Sequence, residues 1–492
     1  MTTRSELSTL EASGLVRLAA VQPELEYLFR HALVQDAAYS SLLKQDRRRL
    51  HGLAAEALLA LYPERRRELA GVIAMHFEQS GDPARAAEYY VIAGEHAGER
   101  YANREAVSFF ERAEALRPAD AHELALRAVI GSVKAGWTFT GHGSAIDRLE
   151  LVLASANDST DQRLLADAYF WLAFLRARRG ETATTSPRLR DALANAERIG
   201  KALGDPMAWA IQNAFVGAMT AFNGQLRTGA NILEPALASL ENKGDPLSTA
   251  MLTDFLAMTY ARLGDFDAAE RALAQAERFA AKGDPIAQLD SLIARSNISL
   301  ERGDLAGTAT LATQCSASAE ELGATACAVA SNLVLGSARL ALDDVPGARP
   351  PIERSYELSV LTNQLSARAI AEAMLGTIKA QLGDAAAGAA GWEQSLEMAR
   401  ANGDRFTEAM TLWLRAYTAA RRTPPEWMAA LADLDASVAL FDAMEAQPSV
   451  ARVLRARARA LRALGRDADA DADERRSREI GRRIGLTDFA EQ

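Results

Sequence analysis

The residues with chemistry to offer are six histidines, two cysteines and a set of acids spaced along helices. His31, His51, His76, His96, His122 and His142 all lie in the first 142 residues, at gaps of 20 to 26. Those gaps place them on successive helices, and neither HxxxH nor HExxH occurs, so packing or capping is expected of them and not metal binding. Cys315 and Cys327 close one helical unit and open the next, an arrangement in which they could approach each other as a redox pair. Cysteine is also a small apolar residue suited to close helix contacts, and that structural role is the one expected. A Ser/His/Asp triad finds no support, since there is no GxSxG elbow and no histidine after residue 142. Gly141-His142-Gly143-Ser144 reads as an inter-helix loop. No GxxxxGK[ST] loop is present to cradle a phosphate. We therefore expect no enzyme, no metal and no cofactor.

The elements around these residues are helical. Of 492 residues, 49% are hydrophobic, 24% charged and only 6% aromatic, with alanine abundant. This suits close-packed helices and not a β-sandwich or barrel. No run approaches the ~20 apolar residues of a membrane span, and Met1-Thr-Thr-Arg-Ser-Glu lacks a signal-peptide core. With two cysteines and no disulfide framework, a reducing cytoplasm is the expected setting. The net charge of −10 disfavours nucleic acid over most of the surface. Residues 450–484 are the exception, with eleven arginines against six acids. A solvated helix face balanced by Asp467, Asp469, Asp471 and Asp473 is the expected explanation.

Turn signals recur with a period near 40. One register runs Gly180, Gly224, Gly264-Asp265, Gly303-Asp304, Asp343-Asp344 and Gly383-Asp384. The other runs Gly204-Asp205-Pro206, Gly244-Asp245-Pro246, Gly283-Asp284-Pro285, Gly323, Asn363 and Gly403-Asp404. A left-handed residue ends one helix and Asp or Asp-Pro opens the next, so each unit is two helices joined by short turns. Small residues stand at fixed offsets from the first turn (Gly217, Ala257, Gly336, Gly376 before it; Gly229, Ala269, Ala348, Gly388 after it). Bulky Leu189, Leu233, Leu273, Ile352 and Trp392 follow nine places after it. Small residues let the paired helices approach, and the bulky one fills the groove between units.

This pattern resembles the tetratricopeptide repeat (TPR), in the long-helix form of bacterial signal-transduction ATPases, since the period exceeds the usual ~34 residues. It implies an all-α, right-handed TPR-like solenoid of about 10–11 helix pairs over residues 71–485, with a tail at 486–492. Residues 1–70 break the rhythm: a short helix ends at Gly14, Val16 to Phe29 reads as a hairpin turning at Gln22-Pro23, and a long helix follows. Phe29-Arg30-His31-Ala32-Leu33-Val34-Gln35-Asp36, Tyr39, Leu42, Arg49 and His51 resemble the end of the winged helix that precedes the TPR tail in STAND/AAA-type regulators. The likeness is strongest to fusions of a nucleotide cyclase, an ATPase and TPRs. The chain is expected to begin inside that winged helix, either as a fragment of a larger regulator or as a product without its motor.

In TPR geometry the first helix of each pair lines a concave face. The resemblance assigns to it Asp167, Phe170 and Phe174; Ile211; Met251, Asp254 and Met258; Asp290, Ile293 and Asn297; and Met410, Trp413 and Tyr417. This lining is apolar with a few acids, and it lacks the lysine/asparagine clamp that captures acidic peptides. It suits a hydrophobic peptide, a partner helix or a small ligand. The expected function is a non-enzymatic sensor or scaffold that acts on an ATPase or cyclase domain, in cis or in trans. The alternatives are the tail of an active cyclase–ATPase and a DNA-associated transcriptional regulator.

Overall fold

The computed structural model describes residues 2–20, 26–157, 160–204, 206–240, 246–281 and 283–489. They form two compact units, divided between Ala128 and Val129. The first holds α1 (Thr2–Ala12), β1 (Val16–Ala20), β2 (Glu26–Phe29), α2 (Ala32–Ser41), α3 (Lys44–Leu61), α4 (Ala70–Ser80), α5 (Pro83–Glu99) and α6 (Asn103–Leu116). The expected hairpin is present, with β1 antiparallel to β2 and Val16 opposite Phe29. Its Gln22-Pro23 turn lies outside the described residues, as does the Gly244-Asp245 turn. Phe77, Tyr89, Tyr90 and Phe110 are buried among α4 to α6.

The second unit begins within α7 (His122–Gly136). It continues through α8 (His142–Ala154), α9 (Gln162–Arg179), α10 (Pro187–Leu203), α11 (Pro206–Phe222), α12 (Leu226–Leu240), α13 (Pro246–Leu263), α14 (Phe266–Ala280) and α15 (Pro285–Arg302). Then come α16 (Leu305–Leu322), α17 (Thr325–Ala341), α18 (Val345–Thr362), α19 (Leu365–Gln381), α20 (Ala385–Asn402), α21 (Arg405–Ala419), α22 (Trp427–Ala443), α23 (Gln447–Ala463) and α24 (Asp467–Ile484). From α8 onward each helix packs on the next, and the odd-numbered ones from α9 to α21 also pack on one another. The second unit is an all-α repeat solenoid.

The turn chemistry explains the regularity. Gly303 ends α15 at φ 96°, and where the glycine register fails Asp343 takes the left-handed conformation at φ 64°. Asp265, Asp304, Asp344, Asp384 and Asp404 each accept a hydrogen bond from the backbone N–H three residues on, at 2.9–3.0 Å. Each such cap is worth about 1 kcal/mol. The paired helices touch where small residues were expected: a Cβ added to Gly388 would stand 2.6 Å from the Ala380 Cβ. The plugs Leu189, Leu233, Leu273, Ile352 and Trp392 are at most 4% exposed.

The solenoid also meets itself. The Thr182 hydroxyl donates to the Asn402 carbonyl at 2.6 Å, and Ala326 N–H donates to the Thr138 carbonyl at 2.7 Å. The Thr487 hydroxyl donates to the Arg302 carbonyl, 185 residues away in sequence. After about five repeats, therefore, the second unit stacks one turn of its coil on the previous one.

Candidate functional site

The coil encloses a cavity of about 190 Å³ against the odd-numbered helices. Met251, Asp254, Met258 and Arg262 come from α13, Asp290, Ile293 and Asn297 from α15, Arg178 from α9, and Cys327 from α17. Trp137, Phe222 and Phe255 add aromatic wall. Six of the residues expected on the concave face thus share one cavity: Met251, Asp254, Met258, Asp290, Ile293 and Asn297.

The acids are held by a ladder between successive odd-numbered helices. Ser291 Oγ donates to Asp254 Oδ2 at 3.0 Å, and Cys327 Sγ donates to Asp290 Oδ1 at 3.4 Å. Each pair is 37 residues apart, one repeat less about one helical turn. The other oxygen of each carboxyl, Asp254 Oδ1 and Asp290 Oδ2, is buried without a partner. These are the only two unpartnered buried carboxyl oxygens among the described residues. Asp254 is 2% exposed. Burial, reinforced by the neighbouring Asp290, keeps its carboxyl protonated well above the usual range. Burial pushes Asp290 up to about 6, with the Arg178 charge and the Cys327 hydrogen bond working the other way.

Two arginines complete the lining. Arg178 lies over the Trp137 ring at 5.3 Å and Arg262 over the Phe406 ring at 4.2 Å. Arg178 Nε is buried without a hydrogen-bond partner. Beside them His142 is fully buried, its Nε2 3.2 Å from the Trp137 carbonyl oxygen. Burial, with Arg178 adding to it, lowers its pKa to about 4, so the ring is neutral and Nε2–H donates. Burial disfavours both thiolates: it raises Cys315 to about 11 and holds Cys327 well above the usual thiol range. Among the described residues no group of three or more His, Cys, Asp or Glu is placed to hold a metal ion.

The remaining expected residues lie elsewhere. Phe170 and Phe174 are 8% and 1% exposed and form an aromatic cluster with Trp137, Trp171 and Phe215, at centroid distances of 5.1–6.1 Å. Trp137 belongs to both cluster and cavity, so the two phenylalanines support the wall from behind. Asp167 is exposed and Ile211 partly buried, and neither lines the cavity. Met410, Trp413 and Tyr417 are partly buried along α21. Tyr417 donates to Asp343 Oδ1 at 2.7 Å beneath the Arg421 guanidinium, and burial raises its hydroxyl to about 12. In the first unit Tyr39, His51 and His76 form a chain, with Oη to Nε2 at 3.0 Å and Nδ1 to Nδ1 at 2.8 Å.

Trp137, Arg178 and Arg262 are functional candidates that the sequence reading missed. A signal for the arginines existed: each stands two residues before its turn glycine, Gly180 or Gly264, at the inner end of the same helical stripe. Trp137 carried no such mark, because it reaches the cavity only through the return of the coil.

No protein-family model and no curated protein matches the sequence. Solved structures do. A Rap protein complexed with Competence and Sporulation Factor is similar over 74% of this chain and 99% of its own, at 12% identity and a TM-score of 0.55. A Rap conjugation gene regulator in complex with the Phr* peptide covers 74% of this chain and 95% of its own, at 11% identity and a TM-score of 0.48. A STAND protein with a tetratricopeptide repeat sensor, from Pyrococcus horikoshii, covers 98% of this chain and 59% of its own, at 12% identity and a TM-score of 0.38. At these identities the likeness is one of fold, and the fold is a TPR-like helical-repeat solenoid.

Proposed function

We propose that the chain is a non-catalytic helical-repeat receptor. It binds a ligand on the face of its odd-numbered helices and passes occupancy to a signalling ATPase or cyclase domain, in cis or in trans. The observation that carries this is the cavity, where two carboxyl oxygens are buried unpaired at a cost that packing alone does not require. The similar Rap structure is complexed with a factor, which fits a receptor role for a coil of this kind. On this reading the hairpin and helices of the first unit are a winged-helix remnant that makes the connection. The resemblance of Phe29–Asp36 to STAND-type regulators supports it.

Nucleic acid is the weaker alternative, because seven of the eleven arginines in residues 450–484 have carboxylate partners. Arg457 pairs with Asp473 at 2.6 Å, Arg462 with Glu474 at 2.8 Å, Arg466 with Asp469 at 2.7 Å and Arg476 with Asp442 at 2.6 Å. No helix among the described residues is long and apolar enough to cross a membrane, and we place the protein in the cytoplasm.

Native mass spectrometry of the full chain purified from its host tests the receptor reading. A bound mass is expected, and it should be absent from a variant in which Ala218, on the wall of the cavity, is replaced by tryptophan (Ala218→Trp). A wild-type protein that carries no added mass, and shows no change in hydrogen exchange of α13 and α15 when host metabolite or peptide fractions are added, overturns it.

A further inference from the structure

The cavity wall specifies the chemistry of its occupant. It offers two unpaired carboxyl oxygens, Asp254 Oδ1 and Asp290 Oδ2, and an unpaired guanidinium donor, Arg178 Nε, with Arg262 on the same wall. A simple anion would satisfy the arginines and leave the acids unpaired. A simple amine would do the reverse, and a metal ion would lack a third side chain from the His, Cys, Asp and Glu set. Only a ligand carrying donors and acceptors of opposite charge satisfies both groups.

Size and polarity narrow it further. About 190 Å³ is little more than the ~150 Å³ cavity that encloses benzene, and well below the 300–1,000 Å³ typical of drug-sized ligands. It holds one residue and not an extended peptide. The rest of the lining is apolar: Phe222, Met251, Phe255, Met258 and Ile293.

We infer that this cavity is a receptor for a free apolar α-amino acid. The ammonium is held between Asp254 and Asp290, the carboxylate by Arg178 and Arg262, and the side chain by the methionine and phenylalanine wall. This rests on the receptor reading above and names the ligand class for the same site. The ammonium supplies the donors that Asp254 Oδ1 and Asp290 Oδ2 lack, and both carboxyls become ionised when it binds. Binding near pH 6 therefore releases protons. The charged or titratable groups that act on Asp290 are Arg178, Cys327 and Asp284, and those on Asp254 are Asp290 and Glu277.

The test is calorimetry on the full chain with free leucine, isoleucine, methionine and phenylalanine. N-acetyl-leucine, leucinamide, glutamate, lysine and Leu-Leu-Leu serve as comparisons. At least one free apolar amino acid should bind, and blocking either its amino or its carboxyl group should weaken binding at least about tenfold. Asp290→Asn and Arg178→Gln should each lose binding while the variants stay folded, with Asp254→Asn as a second acid variant should either fail to fold. Proton release, read from buffers of different ionisation enthalpy, should accompany binding at pH 6. No binding of any free amino acid at about 10 mM, equal binding of the blocked forms, or unchanged binding by the folded acid variants overturns the inference. If Leu-Leu-Leu binds with dependence on Asp254 and free amino acids do not, the amino-acid assignment falls and the receptor reading stands. If native mass spectrometry also finds no bound mass, both fall.

Discussion

Replacing Asp290 by asparagine is expected to stabilise the unliganded protein, and the size of the gain follows from its surroundings. The folded carboxyl titrates at about 6 against an ordinary 3.8. Folding therefore binds a proton between those values, and stability falls as pH rises through that window. Above pH 6 the full penalty is present, on the order of 3 kcal/mol, and the partial exposure of Asp290 reduces it to about 1.5–3 kcal/mol. Asparagine keeps an oxygen for the Cys327 thiol and carries no charge to bury. The variant should thus gain about 1.5–3 kcal/mol at pH 8 and almost nothing below pH 4. Repeat arrays depart from two-state unfolding, so the assay is hydrogen exchange of α13 and α15 amides at both pH values, beside urea melts. A variant destabilised at pH 8 would refute the reasoning, because it would mean that ionised Asp290 has a structural partner. Stability gained together with ligand binding lost is the signature of a binding group, and a merely structural acid would not show it.

Asp384→Ala removes the acceptor for the Ala387 N–H and should lower stability by about 1 kcal/mol, read from the urea midpoint. Gly388→Val drives a branched side chain into Ala380 and the Gly376 carbonyl, 2.6 and 2.9 Å from the position of its Cβ, and should cost about 2–3 kcal/mol in the same melt. Asp488→Ala strips Arg452 and Arg455 of a carboxylate that stands 2.9 and 3.5 Å from them. Faster amide exchange around Gly303 should follow, because Asp488 stacks there on the earlier turn of the coil. In the first unit, burial and the adjacent His51 lower the pKa of His76, so its neutral form is the stable one. Acidification from about 6.5 through that lowered value should weaken the contact between α3 and α4, as followed by histidine NMR titration and exchange.

The repeat was legible because its signals are local. A left-handed residue and an Asp cap fall within one turn of chain, and Gly376, Gly388 and Trp392 act at fixed offsets inside a single unit. Asp254 and Asp290 were legible on the same grounds, as inner positions of α13 and α15. Phe170 and Phe174 were assigned to the same stripe, yet the structure packs them with Phe215 of the next unit. A large aromatic ring on that stripe gains more by burial against a neighbouring helix than by facing an open groove. Trp137 was invisible, since its approach to residues near 327 depends on the rotation accumulated over five repeats. No local pattern encodes that sum.

Among the described residues, buried polar atoms without a partner also occur outside the cavity, on Arg117, His142, Arg176, Arg179, Gln212, Ser366, Arg368 and Gln381, but the only carboxyl oxygens among them are those of Asp254 and Asp290. Buried hydroxyls between helices find partners one after another: Ser355 on the Val329 carbonyl, Ser437 on Ala409, Ser477 on Ala451, and Ser395 with Thr411. The Trp392 indole donates to the Thr377 hydroxyl at 3.1 Å. A fold that saturates such positions repeat after repeat has ready means to place leucine or serine at 254 and 290. It instead buries two acids a repeat apart and sets two arginines on the same wall, with an aromatic ring behind each. One acid kept protonated by burial, a second raised to about 6 and a buried guanidinium nitrogen without a partner destabilise the empty protein, and on the reading proposed above a ligand of complementary charge relieves that cost. On that receptor reading, a ligand there would bridge α9, α13 and α15, which carry Arg178, Asp254 and Asp290.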